Sequence, residues 1–585
     1  MLGGHVTIRR RPESASASLS EDLHPVLRRV LARRELHDST DLDLALERLP
    51  DPDDLYGCPE AAARLQRALD EQARILIVGD YDADGATSSA LAVRALRLFG
   101  AAHADYLVPN RFTSGYGLTP EVVELAAARE PGLLVTVDNG ISSHAGVAAA
   151  RAAGIDVIVT DHHLPGDRLP ADCTIVNPQC GPVDYPGINL AGVGVIFYVM
   201  LALRRRLREA GWFTGRGLPE PNLAVLLDLV ALGTVADVAR LDRVNRTLVS
   251  HGLRRLRSGA GCAGIEALAR LGKRDPRFLS ASDLGFAVGP RLNAAGRLAD
   301  MSLGVRCLLE DDPARALTQA GELDALNHER REIEHGMRVE AEAMVADLAI
   351  DGDLPAALSL FDPGWHQGIV GILAGRLKER VHRPVVAFAA DDSGRLKGSA
   401  RSVPGVHVRD ALQAIADREP GLIERFGGHA MAAGLTLEAG GLERFSEAFA
   451  DEVALQVDPA SLQGVIVTDG ALDTDELTLD TAHVLEDAGP WGQGFPEPLF
   501  DGAFQLVDAR PIGEAHLRMQ LLPERGRAPV EGIAFNLPMG NRPEKGDTIN
   551  LAYRVTVNRY REDRLQLVVE HLAPAARPED TEGRS

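Results

Sequence analysis

Short apolar runs alternate with helical patterns between residues 74 and 176, and this alternation restricts the fold more than any other feature. Strands that read as nearly continuous apolar runs are buried on both faces, as in parallel sheets whose strands are connected by helices. The runs are residues 75–78, 106–108, 133–137, 157–159 and 174–176. The sequence therefore predicts an α/β fold with a largely parallel sheet.

Acidic and histidine side chains directly follow three of these runs. They are Asp80, Asp82, Asp84, Asp138, Asp161, His162 and His163. Because parallel strands end at one edge of their sheet, we expect these side chains to meet there. Closely packed carboxylates raise one another's pKa, and a divalent cation keeps them ionised. Oxygen and imidazole ligands without thiolates favour Mn²⁺ or Mg²⁺. For the first acidic turn alone, a solvated loop is the alternative.

A further acid follows the apolar stretch 226–235. Asp237 lies just after this stretch and is a candidate to complete the cluster, with a helix cap as the alternative. His163 has two interpretations as well, since only one of two adjacent histidines easily faces a given metal. It either contacts substrate or is a supporting histidine of the core.

The order of these motifs resembles the DHH phosphoesterase superfamily. The superfamily motifs are VGDYDADG (78–85), DNGI (138–141), DHH (161–163) and GTVADVA (233–239). Four more motifs resemble the RecJ family of bacterial single-strand-specific DNA exonucleases within it. They are GPRLNAAGR (289–297), LNHERR (326–331), WHQGIVG (365–371) and GGHAMAAG (427–434). The match extends from about residue 50 to about residue 572.

The resemblance implies a two-metal site and a path for a DNA strand. The implied metal ligands for two Mn²⁺ or Mg²⁺ ions are Asp80, Asp82, Asp84, Asp138, His162 and Asp237. Asp138 is the expected bridging ligand, Asp161 is expected to orient His162, and His163 is expected to contact the scissile phosphate. The implied nucleic-acid contacts are Arg111, Tyr116, Arg291, Asn293, Arg297, Ser399, Arg401 and His429. For any single arginine among them, a solvated surface charge is the alternative.

The remaining segments predict further domains. Residues 313–350 have apolar residues at helical spacing, which predicts a long connector helix. Short alternating segments from about residue 460, beginning with 465–468, predict a five-stranded OB-fold barrel. The expected divisions are a helical and flexible segment (1–50), a DHH catalytic domain (51–245), a helical region with the connector (246–350), a DHHA1 domain (351–455), the OB-fold (460–573) and a disordered tail (574–585).

Charge and cysteine content restrict partners and compartment. The net charge of −22 argues against non-specific adhesion to nucleic acid, so we expect a basic channel inside an acidic exterior. Six arginines between residues 240 and 257 are candidates for it. Five scattered cysteines without a CxxC motif favour a reducing compartment. With no membrane span or secretory signal expected, the predicted location is the cytoplasm.

The resulting expectation is a 5′→3′ exonuclease for single-stranded DNA in repair and recombination, acting as a monomer. Single-strand-binding protein and a RecQ-type helicase are implied partners. A DHH phosphodiesterase for short oligonucleotides or cyclic dinucleotides is one alternative. A non-catalytic single-strand-binding scaffold is the other, although every proposed ligand is present in the chain.

Overall fold

The structure is a computed structural model that forms two compact units. One unit comprises residues 1–10 and 328–467, and the other comprises residues 11–327 and 468–585. The described residues are 6–13, 19–34, 36, 38–110, 115–350, 354–391, 393–438, 440–457, 462–513, 515–537 and 542–574. Most of the predicted tail, residues 575–585, thus lies outside the described residues. No helix in the described part of the chain is long and apolar enough to span a membrane.

A five-stranded sheet in the larger unit positions the acidic residues. All of its strand pairs are parallel, which confirms the predicted α/β class. In spatial order the strands are Ala104–Leu107, Ile75–Gly79, Leu133–Val137, Asp156–Thr160 and Thr174–Val176. The chain reverses its direction of winding after Ile75–Gly79, and ligands bind beside such switch points at the carboxyl ends of the strands.

Helices cover both faces of this sheet and form a helical layer beyond it. Leu227–Ala236 is buried along most of its length and packs with Ala83–Leu98 and Gly192–Glu209. The helices are Pro25–Ala32, Cys58–Asp70, Ala83–Leu98, Pro120–Ala127, His144–Ala152, Gly192–Glu209, Trp212–Arg216, Leu227–Ala236, Arg243–Arg257, Ala263–Leu271, Gly289–Leu298 and Ser302–Leu309. A π-helical turn, Leu284–Val288, directly precedes Gly289–Leu298.

The carboxyl-terminal part of the larger unit is a closed five-stranded barrel, as predicted. Its strands in spatial order are Phe500–Ile512, His516–Pro523, Val530–Ala534, Arg564–Pro574 and Thr548–Asn558. Helix Leu479–Asp487 packs against it. The prediction that residues 465–468 begin this barrel was wrong. Gly464–Thr468 pairs instead with Val6–Arg10 in a two-stranded sheet, because closure of the barrel leaves no free edge for a sixth strand.

The smaller unit contains a second sheet. Its strands in spatial order are Ile423–Gly428, Ala432–Leu437, Leu396–Arg401, Val385–Ala390 and Leu358–Phe361. Its helices are Val370–Val381, Val408–Arg418 and Leu442–Gln456. The predicted connector is a single helix, Pro313–Ile350, which contributes residues to both units.

Candidate metal centre

The turn after strand Ile75–Gly79 is stabilised by its own aspartates. Helix Ala83–Leu98 begins at Asp82, whose carboxylate accepts a hydrogen bond from the Gly85 amide at 3.0 Å. The Asp80 carboxylate accepts one from the Tyr81 amide at 2.7 Å. A side chain at position 85 would overlap the backbone of Asp80, so only glycine permits this turn. The turn therefore holds its three acidic residues, Asp80, Asp82 and Asp84, in fixed positions at the sheet edge.

Asp84 is buried beneath this turn and is held by a different helix. The Gly192 and Val193 amides, at the start of Gly192–Glu209, donate to its two oxygens at 2.7 and 2.9 Å. Burial and the neighbouring Asp82 carboxylate raise the pKa of Asp84, while these two hydrogen bonds oppose the rise. No sequence motif predicted that this helix start would bind Asp84. Gly192 was the only sequence feature that could have indicated a close approach at this point. A Cβ at this position would lie 2.6 Å from the Cβ of Asp138.

Asp138 lies at the end of the neighbouring strand, beside the switch point. Its backbone is left-handed, with φ 63°, and its side chain is buried. The Asn139 side chain donates to the carbonyls of Val78 and Val137 and so ties the ends of the two strands together. Burial raises the pKa of Asp138 well above its usual range, and the charges of Asp84, Asp82 and Asp80 raise it further.

The two histidines have different partners. Nε2 of His162 lies 3.0 Å from Oδ1 of Asp138 and 3.9 Å from Oδ2 of Asp237. Nδ1 of His163 lies 2.7 Å from Oδ1 of Asp161. The predicted contact between Asp161 and His162 is made at the backbone amide of His162, at 2.7 Å. Asp161 accepts the backbone amide of His162 and holds the ring of His163, because the DHH turn folds back over this buried carboxylate.

Asp161 also determines the charge of His163. Burial alone would lower the pKa of His163, but the hydrogen bond to Asp161 and the surrounding acids raise it to about 9. In the metal-free protein this pKa favours a protonated ring at neutral pH, and Nε2 of His163 lies 3.5 Å from the Tyr116 hydroxyl. This arrangement places a cationic donor beside the acidic cluster.

Asp237 is the first residue beyond helix Leu227–Ala236 and completes the cluster. Burial and the charges of Asp84 and Asp82 raise its pKa well above the usual range. The cluster contains three overlapping groups of three residues, and within each group the ligand atoms lie within 4.8 Å of one another. They are Asp138, His162 and His163; Asp84, His162 and Asp237; and Asp80, Asp82 and Asp138. All seven residues predicted to bind metal or act in catalysis thus lie together.

This donor set fits divalent cations. Carboxylate oxygens and one or two imidazoles, with no thiolate among them, are typical ligands of Mn²⁺ and Mg²⁺. Burial and mutual repulsion raise the pKa of Asp84, Asp138 and Asp237. A bound cation would stabilise the ionised carboxylates and so lower these pKa values.

The residues predicted to contact DNA in the larger unit have varied surroundings. Tyr116 is exposed at the cluster and packs edge-on against Tyr81 and His163. Asn293 uses its side-chain oxygen to accept the Ala83 amide at 2.8 Å, so it also supports the aspartate turn. Arg297 lies half-buried on the same helix. Arg111 lies outside the described residues.

Arg291 and part of the arginine run have packing roles. Arg291 is buried, pairs with Asp324 at 2.8 Å and donates to the Ala287 carbonyl. The contact of Arg291 with DNA stays a prediction, and the guanidinium would have to make it in addition to its ion pair with Asp324. Within the run, Arg246 and Arg257 donate to the carbonyls of Asp41 and Leu279. These two guanidinium groups serve packing, and the basic channel stays a prediction for the rest of the run.

The smaller unit carries a compact anion cradle. Arg401 donates to the Ser399 hydroxyl at 3.0 Å, and burial lowers the pKa of its guanidinium. A Cβ at Gly371, in the first turn of helix Val370–Val381, would lie 2.9 Å from both side chains. A half-buried cation, a hydroxyl and a helix amino terminus suit a phosphate group. His429 lies in the turn after Ile423–Gly428.

Three family models match the chain. They are the DHH family N-terminal domain at residues 74–234, the DHHA1 domain at 353–455 and the RecJ OB domain at 468–571. The predicted boundaries between domains stay predictions, since these matches leave the intervening segments uncovered.

Several proteins named single-stranded-DNA-specific exonuclease RecJ are similar over nearly the whole chain. The protein from Escherichia coli is 51% identical over 572 residues, covering 97% of this chain and 99% of its own. That from Dickeya dadantii is 53% identical over 570 residues, with the same coverage. The crystal structure of RecJ with Mn²⁺ from Thermus thermophilus has a TM-score of 0.78 and 31% identity, covering 98% of this chain and 80% of that one. The corresponding Mg²⁺ complex has a TM-score of 0.72.

Proposed function

Because the chain belongs to the RecJ family of single-stranded-DNA-specific exonucleases, we propose that it hydrolyses phosphodiester bonds of single-stranded DNA in the 5′→3′ direction. The observation that carries this proposal is the convergence of seven acidic and histidine residues, from three strand ends and one helix end, within ligand distance. The proposed cofactors are two Mn²⁺ or Mg²⁺ ions, and structures of RecJ relatives have been solved in complex with each of these metals.

Six residues of this chain would hold the ions: Asp80, Asp82, Asp84, Asp138, His162 and Asp237. When bound, two divalent cations activate a water molecule near neutral pH and neutralise charge that develops on the phosphate. Asp138 lies between the group of Asp80 and Asp82 and the imidazole of His162, which suits it to bridge the two positions. Oδ2 of Asp84 accepts the Gly192 amide and has a second lone pair for a cation, whereas Oδ1 accepts the Val193 amide and, at 3.5 Å, the Ser88 hydroxyl.

His163 is proposed to contact the scissile phosphate. Its hydrogen bond to Asp161 fixes the ring and favours its protonated form, in which Nε2 donates to a non-bridging phosphate oxygen. The exposed Tyr116 ring, packed edge-on against this histidine, is placed to stack on a base beside the cleaved bond.

The direction of digestion requires recognition of the 5′ end. We propose that Ser399 and Arg401 bind the terminal phosphate, and the contact of Arg111 with DNA stays a prediction. The hydrogen bond between Arg401 and Ser399 and the close approach of Gly371 to both side chains support this role for the smaller unit. His429, Arg291, Asn293 and Arg297 stay predicted contacts to the strand.

A nuclease assay with end-labelled DNA tests the proposal. With Mn²⁺, we expect release of nucleotides from the 5′ end of a single strand and little digestion of blunt duplex. Asp82→Ala and His162→Ala should each abolish digestion, whereas Asp70→Ala, an exposed acid at the end of Cys58–Asp70, should leave it unchanged. Full activity in the first two variants would show that the assigned centre is wrong. Faster cleavage of dinucleotides than of long strands would favour the oligonucleotide phosphodiesterase alternative.

The cellular role follows from the family. We propose that the protein acts in DNA repair and recombination as a monomer, with single-strand-binding protein and a RecQ-type helicase as partners. A helicase would supply the single strands that this activity requires. The cytoplasmic location stays a prediction.

A further inference from the structure

One helix runs along the edge of the metal centre and leaves a single face open. We call it the rim helix; it consists of the π-helical turn Leu284–Val288 and the continuous helix Gly289–Leu298. It packs closely on the centre, since a Cβ at Gly289 would lie 3.3 Å from Ala236 and one at Gly296 would overlap the Tyr81 carbonyl. Its Asn293 side chain accepts the amide of Ala83, between Asp82 and Asp84.

The open face of the rim helix has four residues at helical spacing. They are Phe286, Pro290, Asn293 and Arg297, separated by four, three and four positions. The residues between them, including Ala287, Arg291 and Ala294, are buried. The face therefore presents a cation and an amide close to the aspartate turn and an aromatic ring farther along.

Phe286 is the unusual member of this face. Its side chain is 81% exposed, although Leu284, Ala287 and Val288 of the same turn are buried. The ring stands on a π-helical turn, a local geometry that often occurs at functional sites. At 1.5 Å per residue it lies about 10 Å along the helix from Asn293, which is roughly three nucleotides of a stacked strand.

We propose that Phe286 is a stacking platform for a base of the bound strand, about three nucleotides from the scissile phosphate. This inference rests on the proposed function. Single-strand sites combine cationic groups that follow the backbone with aromatic rings that stack on bases, and the face that carries Arg297 and Phe286 offers both. Phe286 would be a positioning residue, since it acts on the substrate well away from the reacting atoms.

Abasic substrates give the sharpest test. We suggest single-turnover kinetics with Mn²⁺ on a 5′-phosphorylated 12-mer, with one abasic nucleotide placed in turn at positions two to six. Phe286→Ala should lower kcat/KM on the unmodified strand about five- to tenfold. One abasic position should cause a similar loss in the wild-type enzyme and no additional loss in Phe286→Ala, while Phe286→Trp should behave like the wild type.

Two controls keep the outcome specific. Phe278→Ala removes an aromatic ring outside this face, one covered by the Arg559 guanidinium at 4.5 Å, and should leave the kinetics unchanged. Cleavage of a thymidine dinucleotide, too short to reach Phe286, should be equal in wild type and Phe286→Ala. Additive losses on abasic strands, or an equal loss on the dinucleotide, would overturn the inference. A wild-type enzyme that does not cleave the 12-mer would instead refute the proposed function.

Discussion

Replacing Gly192 with alanine tests whether the start of helix Gly192–Glu209 holds the metal centre together. The added Cβ would lie 2.6 Å from Cβ and 2.8 Å from Oδ1 of Asp138, and both Asp138 and its strand are buried. Alanine in a helix gains at most about 1 kcal/mol over glycine. Overpacking costs about 1–3 kcal/mol, and a lost hydrogen bond to the Asp84 carboxylate costs about 1.5–3 kcal/mol. We therefore expect a net loss of about 1.5–5 kcal/mol of stability.

The effect on catalysis should exceed the effect on stability. A shift of about 1 Å in a ligand carboxylate can cost on the order of 100-fold in rate. The assay compares Mn²⁺-dependent digestion of a labelled single strand with thermal unfolding of the same samples. Gly215→Ala, where a Cβ would meet no atom within 4 Å, is the matched control and should behave like the wild type. Wild-type activity and stability in Gly192→Ala would refute the reasoning.

Two further perturbations test the charges inside the larger unit. In the metal-free protein, the raised pKa values of Asp84, Asp138 and Asp237 make the folded state lose stability as pH rises above about 4, where the unfolded carboxylates ionise first. Adding Mn²⁺ should therefore raise the unfolding temperature more at pH 8 than at pH 5; an equal rise at both would contradict the assigned ligands. Arg34→Met breaks a buried pair with Asp469 at 2.9 Å and should cost about 3–5 kcal/mol in chemical denaturation, partly recovered by adding Asp469→Leu. An unchanged denaturation midpoint would show that this pair does not anchor the amino-terminal helix.

Local patterns in the sequence were sufficient to predict the strands and the acids that follow them. Residues 133–137 and 174–176 form strands with the predicted bounds, because continuous apolar runs have few other stable solutions. The metal centre followed from these strands, since parallel strands bring their carboxyl ends together. The connector helix was equally predictable from its apolar spacing.

Long-range contacts explain most of what the sequence analysis missed. The pairing of Val6–Arg10 with Gly464–Thr468 joins segments more than 450 residues apart and leaves no local signal. The ion pair between Arg291 and Asp324 and the hydrogen bond from Ala83 to Asn293 also join residues that are distant in the chain, and neither has a local signal in the sequence. Periodicity indicates which face of a helix is buried, but it does not indicate which distant residue that face meets.

The most direct test of the metal centre is anomalous diffraction from crystals grown with Mn²⁺. We predict two peaks that are surrounded by Asp82, Asp138, His162 and Asp237. They should lie about 3.5–4 Å apart, the usual spacing of two-metal sites. We also predict the loss of at least one peak in Asp138→Asn. Peaks located elsewhere in the protein, or two undiminished peaks in that variant, would contradict the assigned centre.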